Sequence, residues 1–165
     1  MITEATQSDL GGLVPLFRSL NDLHAVHVPD RFHDAASDAD LHDVLQGAWQ
    51  GGSRFLVYRT EGVARGYLKW QMMPVGVAAL ERPRRIALLD HIWVEPIWRR
   101  RGLASRLIDR FEQDSARAGA QGWTVRVHAF NAASAALMRR HGAELSVQAF
   151  DKYAAPVRAS APTSA

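Results

Sequence analysis

The stretch from Ile86 to Ala104 constrains this chain more tightly than any other. Ile86, Leu88, Leu89, Ile92, Trp93 and Val94 make an almost continuous apolar run, which predicts a central strand covered on both faces. Pro96 ends it, Arg99, Arg100 and Arg101 follow, and Gly102 opens a helix with Leu103, Leu107, Ile108 and Phe111 along one side. A buried strand, a basic loop and a helix start aim several main-chain N–H groups at one point, at the positive end of a helix dipole. Gly102 lets a ligand approach the backbone closely, and Ala104 keeps the first turn narrow. Arginine forks beside such a point pair with phosphate oxygens. A pyrophosphate suits this cradle. The P-loop pattern and the G-x-G-x-x-G pattern are both missing, so nucleotide hydrolysis and hydride transfer have no support.

Around that stretch the apolar periodicity predicts one α/β domain. Ile2 to Ala5 reads as a first strand. Ser8 or Asp9 caps a helix carrying Leu10, Leu13, Leu16, Phe17 and Leu20, and Asn21 to Ala36 reads mostly as loop. Asp38 or Asp40 opens a second helix with Leu41, Val44, Leu45 and Trp49, stopped by Gly51 and Gly52. Arg54 to Arg59 and Val63 to Met73 form a hairpin around Glu61-Gly62, and the central strand runs from Arg84 to Val94. A helix from Gly102 to Gly119 precedes a strand from Trp123 to Phe130, and Asn131 then caps a short helix ending at His141 and Gly142. Leu145 to Tyr153 reads as a last strand. The domain is expected to span residues 1–153, with 154–165 a disordered tail of Ala, Pro, Ser and Thr.

The absence of cysteine excludes disulfides, thiolate-bound zinc and a cysteine nucleophile. The formal net charge of +3 comes largely from arginine, and clusters at Arg82 to Arg85, Arg99 to Arg101 and Arg139 to Arg140. Either a nucleic acid or an anionic cofactor would suit such a balance. No apolar run approaches the length of a membrane span and no secretion-type leader opens the chain, so a cytoplasmic location without membrane contact is expected. His24, His27, His33 and His42 come without an H-E-x-x-H pattern, and no metal is expected.

Val94-x-Pro96 followed by Arg99-x-x-Gly102-x-Ala104 resembles the acetyl-CoA motif of the GNAT superfamily of N-acetyltransferases. Asn131 to Ala143 resembles that family's later segment, in which an asparagine precedes a short helix and a closing glycine. Leu89-Asp90-His91-Ile92-Trp93-Val94 looks like the corresponding strand of the diamine acetyltransferases, with Asp90 in a glutamate's place. The resemblance covers residues 2–150 and is specific from Leu88 to Gly142. It implies a mixed, mostly antiparallel sheet with helices on both faces, whose fourth and fifth strands are parallel and splay apart. It implies that acetyl-CoA lies in that gap, held by Ile92, Trp93, Val94, Arg99, Arg100, Arg101, Gly102, Leu103, Ala104, Asn131, Ser134 and Met138. By position it places His24, His27, Asp30 and Phe32, in the loop that roofs the acceptor pocket of related enzymes, at the acceptor. The partner expected is a small-molecule or peptide amine, not a nucleic acid, and a homodimer through the last strands fits the resemblance.

Acetyl transfer to an amine needs the neutral amine. An alkylammonium with pKa near 10.4 is neutral about once in ~2,500 molecules at pH 7, a cost of about 4.6 kcal/mol. A carboxylate or a histidine at the amine removes that proton. Asp90 is the first candidate and His91 the second. Regular strand alternation sends them to opposite faces, and an ion pair of Asp90 with Arg84 or Arg126 is the competing role. Family members often carry tyrosine, as the acid for the leaving thiolate, where this chain has Met138. Solvent or Tyr153 is left for that step. A non-catalytic acyl-CoA-binding module is the alternative that Met138 encourages.

Overall fold

The computed structural model describes residues 1–74, 76 and 79–152. Tyr153 and the expected disordered tail lie outside the described residues.

After β1 (Ile2–Glu4) and a single 3-10 turn, α1 runs from Leu10 to His27. Leu10, Leu13, Leu16 and Leu20 are buried at helical spacing. The helix takes in the seven residues Asn21 to His27 that the sequence reads as loop, closing where Val28 N–H donates to His24 C=O at 2.7 Å. Asn21 Nδ2 donates to His33 C=O at 2.7 Å and ties the following loop back onto the helix. α2 (Asp38–Gln50) begins one residue after Ser37, which caps it. Asp40 N–H donates to Ser37 Oγ at 3.1 Å while Ser37 N–H donates to Asp40 Oδ2 at 2.8 Å, a reciprocal capping box rather than a cap by Asp38 or Asp40.

β2 (Arg54–Thr60) and β3 (Val63–Met72) form the expected hairpin. Glu61 and Gly62 both have left-handed φ, 52° and 78°, as a two-residue turn of matching twist requires. β4 (Ile86–Val94) leads through a 3-10 turn at Pro96–Trp98 to α3 (Leu103–Arg117), then β5 (Gly122–Val125) and α4 (Ala132–Arg140). The sheet order is β1-β2-β3-β4-β5; the first three pairings are antiparallel and β4–β5 is parallel.

Alternation along the central strands builds two cores. Phe55, Val57 and Tyr67 meet α1 and α2, while Leu56, Leu68, Trp70 and Leu89 meet Leu107, Ile108 and Phe111 of α3 and Met138 of α4. With both faces covered, the strands read as near-continuous apolar runs. The expected last strand does not form among the described residues. Leu145, Val147 and Phe150 are 69%, 79% and 89% exposed, because an alternating pattern makes a strand only where a sheet edge receives it.

Candidate active site

β5 pairs with β4 only from Ile86–Gly122 to Leu89–Val125. The expected fifth strand, Trp123 to Phe130, is correspondingly cut to four residues. At the next residue β4 bulges: Lys69 pairs with His91 and Trp70 with Leu89, leaving Asp90 without a partner on β3. Beyond this bulge β4 stays paired to β3 but, among the described residues, has no strand on its other side. An extended ligand arm can lie along that edge as an added strand does.

The gap leads to the start of α3. Arg100 and Gly102 both have left-handed φ, 61° and 73°, which turns the intervening main chain into a concave run of N–H groups. Among the described residues, the N–H groups of Arg100 to Ser105 have no main-chain or side-chain acceptor, and no acidic residue stands in the first turn. By contrast, Ser37 caps α2 and Asn131 caps α4. A Cβ built on Gly102 would meet nothing within 4 Å, so this turn opens outward. Its bare N–H groups and positive dipole end fit a diphosphate.

The arginines divide their work. Arg99 Nε donates to Val94 C=O at 2.9 Å and its guanidinium lies 4.5 Å over the Trp93 ring. Arg101 lies 4.9 Å over Trp98. Arg99 thus ties the loop to β4, while Arg101 packs on the loop's own 3-10 turn, and both remain exposed. Arg100 is exposed.

At the bulge, Asp90 and His91 sit on the same face, not on opposite faces. Asp90 Oδ2 is 2.6 Å from Lys69 Nζ and 3.7 Å from His91 Nε2. One extra residue cancels one step of alternation, a feature no pattern in Leu89-Asp90-His91 announces. The ion-pair partner of Asp90 is Lys69 rather than Arg84 or Arg126. Burial would raise the Asp90 carboxyl, but His91, Lys69 and the more distant Arg126 outweigh it and hold it below its ordinary value. His91 is pushed down to about 4, chiefly by burial, with Lys69 and His24 adding to the effect and Asp90 opposing it. It is therefore neutral at pH 7. Phe17 stacks on its ring at 5.1 Å, and Tyr67 Oη is 3.2 Å from its Nδ1.

A group of rings gathers next to this pair. His24 lies 5.1 Å from Phe32 and 5.0 Å from His128 between ring centroids, and His27 stacks on Phe130 at 4.3 Å. The sequence reading names His24, His27 and Phe32 but misses His128 and Phe130. Their spacing of two, with Val127 packed in the opposite core, was the available signal. Asp30 is exposed in the turn after α1 and makes no side-chain hydrogen bond or ion pair among the described residues. His33 and His42 are elsewhere: His33 Nδ1 accepts from Ala35 N–H at 3.3 Å, and His42 lies beside Asp43.

The profile of the Acetyltransferase (GNAT) family matches residues 18–143. The chain belongs to this family. No curated protein sequence matches it. Among solved structures, a mutant of the BH1408 protein from Bacillus halodurans superposes with TM-score 0.81 at 15% identity, covering 93% of this chain and 98% of that one. The aminoglycoside N-acetyltransferase AAC(6')-Iy in complex with CoA gives 0.73 at 18%, covering 93% of each chain. A ribosomal-protein-alanine N-acetyltransferase from Brucella melitensis biovar Abortus 2308 gives 0.71 at 18%, covering 93% and 97%. These likenesses confirm the GNAT fold, with its parallel fourth and fifth strands.

The later GNAT segment adopts the expected helix. Asn131 Oδ1 accepts from Ser134 N–H at 3.0 Å, so the carboxamide oxygen is the cap of α4. Four residues after Ser134 on the same side of α4, Met138 is 3% exposed within the α3-side core. In this GNAT domain it is a packing residue with no proton to offer. No helix among the described residues is long and apolar enough to cross a membrane.

Proposed function

We propose that this chain transfers an acetyl group from acetyl-CoA to a primary amine of a small molecule or peptide, by direct attack without an acyl-enzyme. One observation carries the proposal: the bare first turn of α3 stands at the mouth of the β4–β5 gap, beside an unpaired strand edge. The N–H groups of Arg100, Arg101, Gly102, Leu103 and Ala104 would grip the diphosphate, with Arg99 bracing the loop. The edge of Ile92, Trp93 and Val94 would pair with the pantetheine amides, and Asn131 and Ser134 would face them from α4, with the buried Met138 packed behind. When bound, the cosubstrate supplies the activated acetyl group.

In this proposal the chain's own groups manage the proton and the developing charge. Asp90 is ionised at any working pH and more accessible than His91, with side chains 37% and 20% exposed. As a weak base it acts through water and by drawing the ammonium in. His91 stays neutral and holds Asp90 in place. Main-chain N–H groups near the bulge would face the thioester oxygen, where a fixed donor stabilises the negative charge. A thiolate with reference pKa near 8.5 leaves with little acid help, which solvent supplies. The domain would span residues 1–153 and work in the cytoplasm. A homodimer is compatible with the exposed Leu145, Val147 and Phe150. No nucleic-acid contact is needed to account for the arginines, since Arg99 and Arg101 lie on indoles and Arg85 donates to Ala118 C=O.

Calorimetry with CoA and a thiol-release assay across amine classes test this reading. Micromolar CoA binding with amine-dependent thiol release supports it, and no CoA binding at millimolar concentration ends it. The buried Met138 and the Lys69–Asp90 pair favour one alternative, a non-catalytic acyl-CoA-binding module. Tight CoA binding without thiol release from any amine would identify that case.

A further inference from the structure

We propose that the acceptor is a singly charged amine carried on a flat aromatic or heteroaromatic body, bound against the ring wall of His24, His27, Phe32, His128 and Phe130. This deepens the proposed reading and rests on it.

The wall is assembled from three separate stretches: the last turns of α1, the loop after it, and the segment after β5. Its rings pack both face to face and edge-on, with His24 meeting Phe130 at 76°. His27 and Phe130 stack at 4.3 Å and 13°, and Phe130 and His128 at 5.9 Å and 21°. His24 meets Phe32 at 5.1 Å, and Phe32 meets His128 edge-on at 5.5 Å. His27 is exposed and the other four are half-buried, so the wall keeps solvent-accessible ring surface. It adjoins the Asp90–His91 pair, since Phe17, which stacks on His91, and His24 lie seven residues apart on one face of α1.

Charge defines the rest of the acceptor. Burial pushes His24 and His128 below their ordinary values; His128 acts on His24, and Arg31 acts on both. The imidazoles are therefore neutral at pH 7. Arg31 sits 5.4 Å over the Phe32 ring, and Lys69 occupies Asp90. The carboxylates that act on these rings are Asp90, on His91, and Asp151, on His128. A polycation such as a polyamine or an aminoglycoside needs several unmatched acids spread across its site, whereas here Asp90 and Asp151 are matched in number by Lys69 and Arg31 around uncharged rings. One ammonium directed at Asp90, followed by a planar apolar body, satisfies each of these surfaces. Each well-placed ring pair is worth about 2- to 13-fold in affinity beyond simple burial.

Thiol release measured with acetyl-CoA and matched amines tests this. Phenethylamine, tyramine and tryptamine are compared with hexylamine, spermidine and kanamycin. The aryl amines are expected to exceed hexylamine and both polycations in kcat/KM by about tenfold or more. His24→Ala and Phe130→Ala are expected to erase that advantage while leaving the Kd for CoA unchanged by calorimetry. A preference for a polycation, parity between aryl amines and hexylamine, or an advantage that survives both substitutions overturns the inference. Should either variant fail to fold, the wild-type protein with CoA provides a second measurement. Tyramine ring protons are expected to shift upfield in NMR titration, and no shift at millimolar tyramine overturns it. CoA binding without aryl preference counts against this inference alone; absence of CoA binding counts against the acetyl-CoA reading beneath it.

Discussion

Tyr67 Oη and His91 Nδ1 are 3.2 Å apart, in a contact where Tyr67 is fully buried. Burial and the nearby Asp90 push the tyrosine pKa well above its usual value, so the hydroxyl keeps its proton. The Asp90 carboxylate on the far side of the imidazole disfavours a lone pair on Nε2. The favoured tautomer therefore has Tyr67 donating to Nδ1 and Nε2–H directed at Asp90. Tyr67→Phe removes the donor and frees the ring to invert. Stability is expected to fall by about 1–2 kcal/mol in urea unfolding, and kcat by several-fold, with the CoA Kd unchanged. Loss of CoA binding with kcat preserved would contradict this arrangement.

Asp90→Asn removes the charge that draws in the ammonium and orients water. In the acetyl-transfer reading, kcat/KM at pH 7 is expected to drop by about 10- to 100-fold. The deficit should narrow as the pH approaches the pKa of the acceptor, where the amine is already neutral. A deficit constant across pH 7–10 would assign Asp90 a purely structural part.

Gly102 sits at φ 73° with open space where a Cβ would project. Gly102→Ala costs about 1–2 kcal/mol of backbone strain, and its methyl group intrudes on the diphosphate cradle. CoA affinity is expected to weaken at least about tenfold with Ala and to vanish with Val. Titration calorimetry beside circular dichroism separates lost affinity from lost fold, and a Val variant binding normally would refute the cradle.

Stability should depend on acid in one direction. His91 is lowered to about 4 from an ordinary 6.5, and His24 and His128 are also lowered. Between those values the unfolded chain binds protons that the folded chain does not, so stability rises with pH through this window and is lost as pH falls from 6.5 toward 4. Asp90, also lowered, adds a loss in the same direction below its ordinary carboxylate range. The His91 contribution is on the order of 2–3 kcal/mol. Urea midpoints at pH 7, 5.5 and 4.5 should decline for wild type and decline less for His91→Asn. Equal slopes would show that the imidazole is not held neutral by burial.

The strand, loop and helix start proposed as the cradle were legible as local structure because they are contiguous: β4, Pro96, Gly102 and a helix face lie within one stretch of chain, and local chemistry fixes their shape. The shared side of Asp90 and His91 was not, because the bulge depends on how β4 registers against Lys69 and Trp70 of β3. Lys69 itself carries no signal of pairing with a residue 21 positions away. His128 and Phe130 reach His24 and His27 only because β5 stops at Val125 and the following chain turns toward α1. The reading of Leu145 to Tyr153 erred the other way, since period two in a sequence says nothing about whether a neighbouring strand is present.

An opening helical turn without its own cap leaves α3 short of the protection that α2 and α4 have. Any anion that settles there completes the helix by accepting from its bare N–H groups. At a hundredfold excess over its Kd such a ligand adds about 2.7 kcal/mol to the folded state. If acetyl-CoA is that anion, as proposed, the sturdiness of the fold would track its supply.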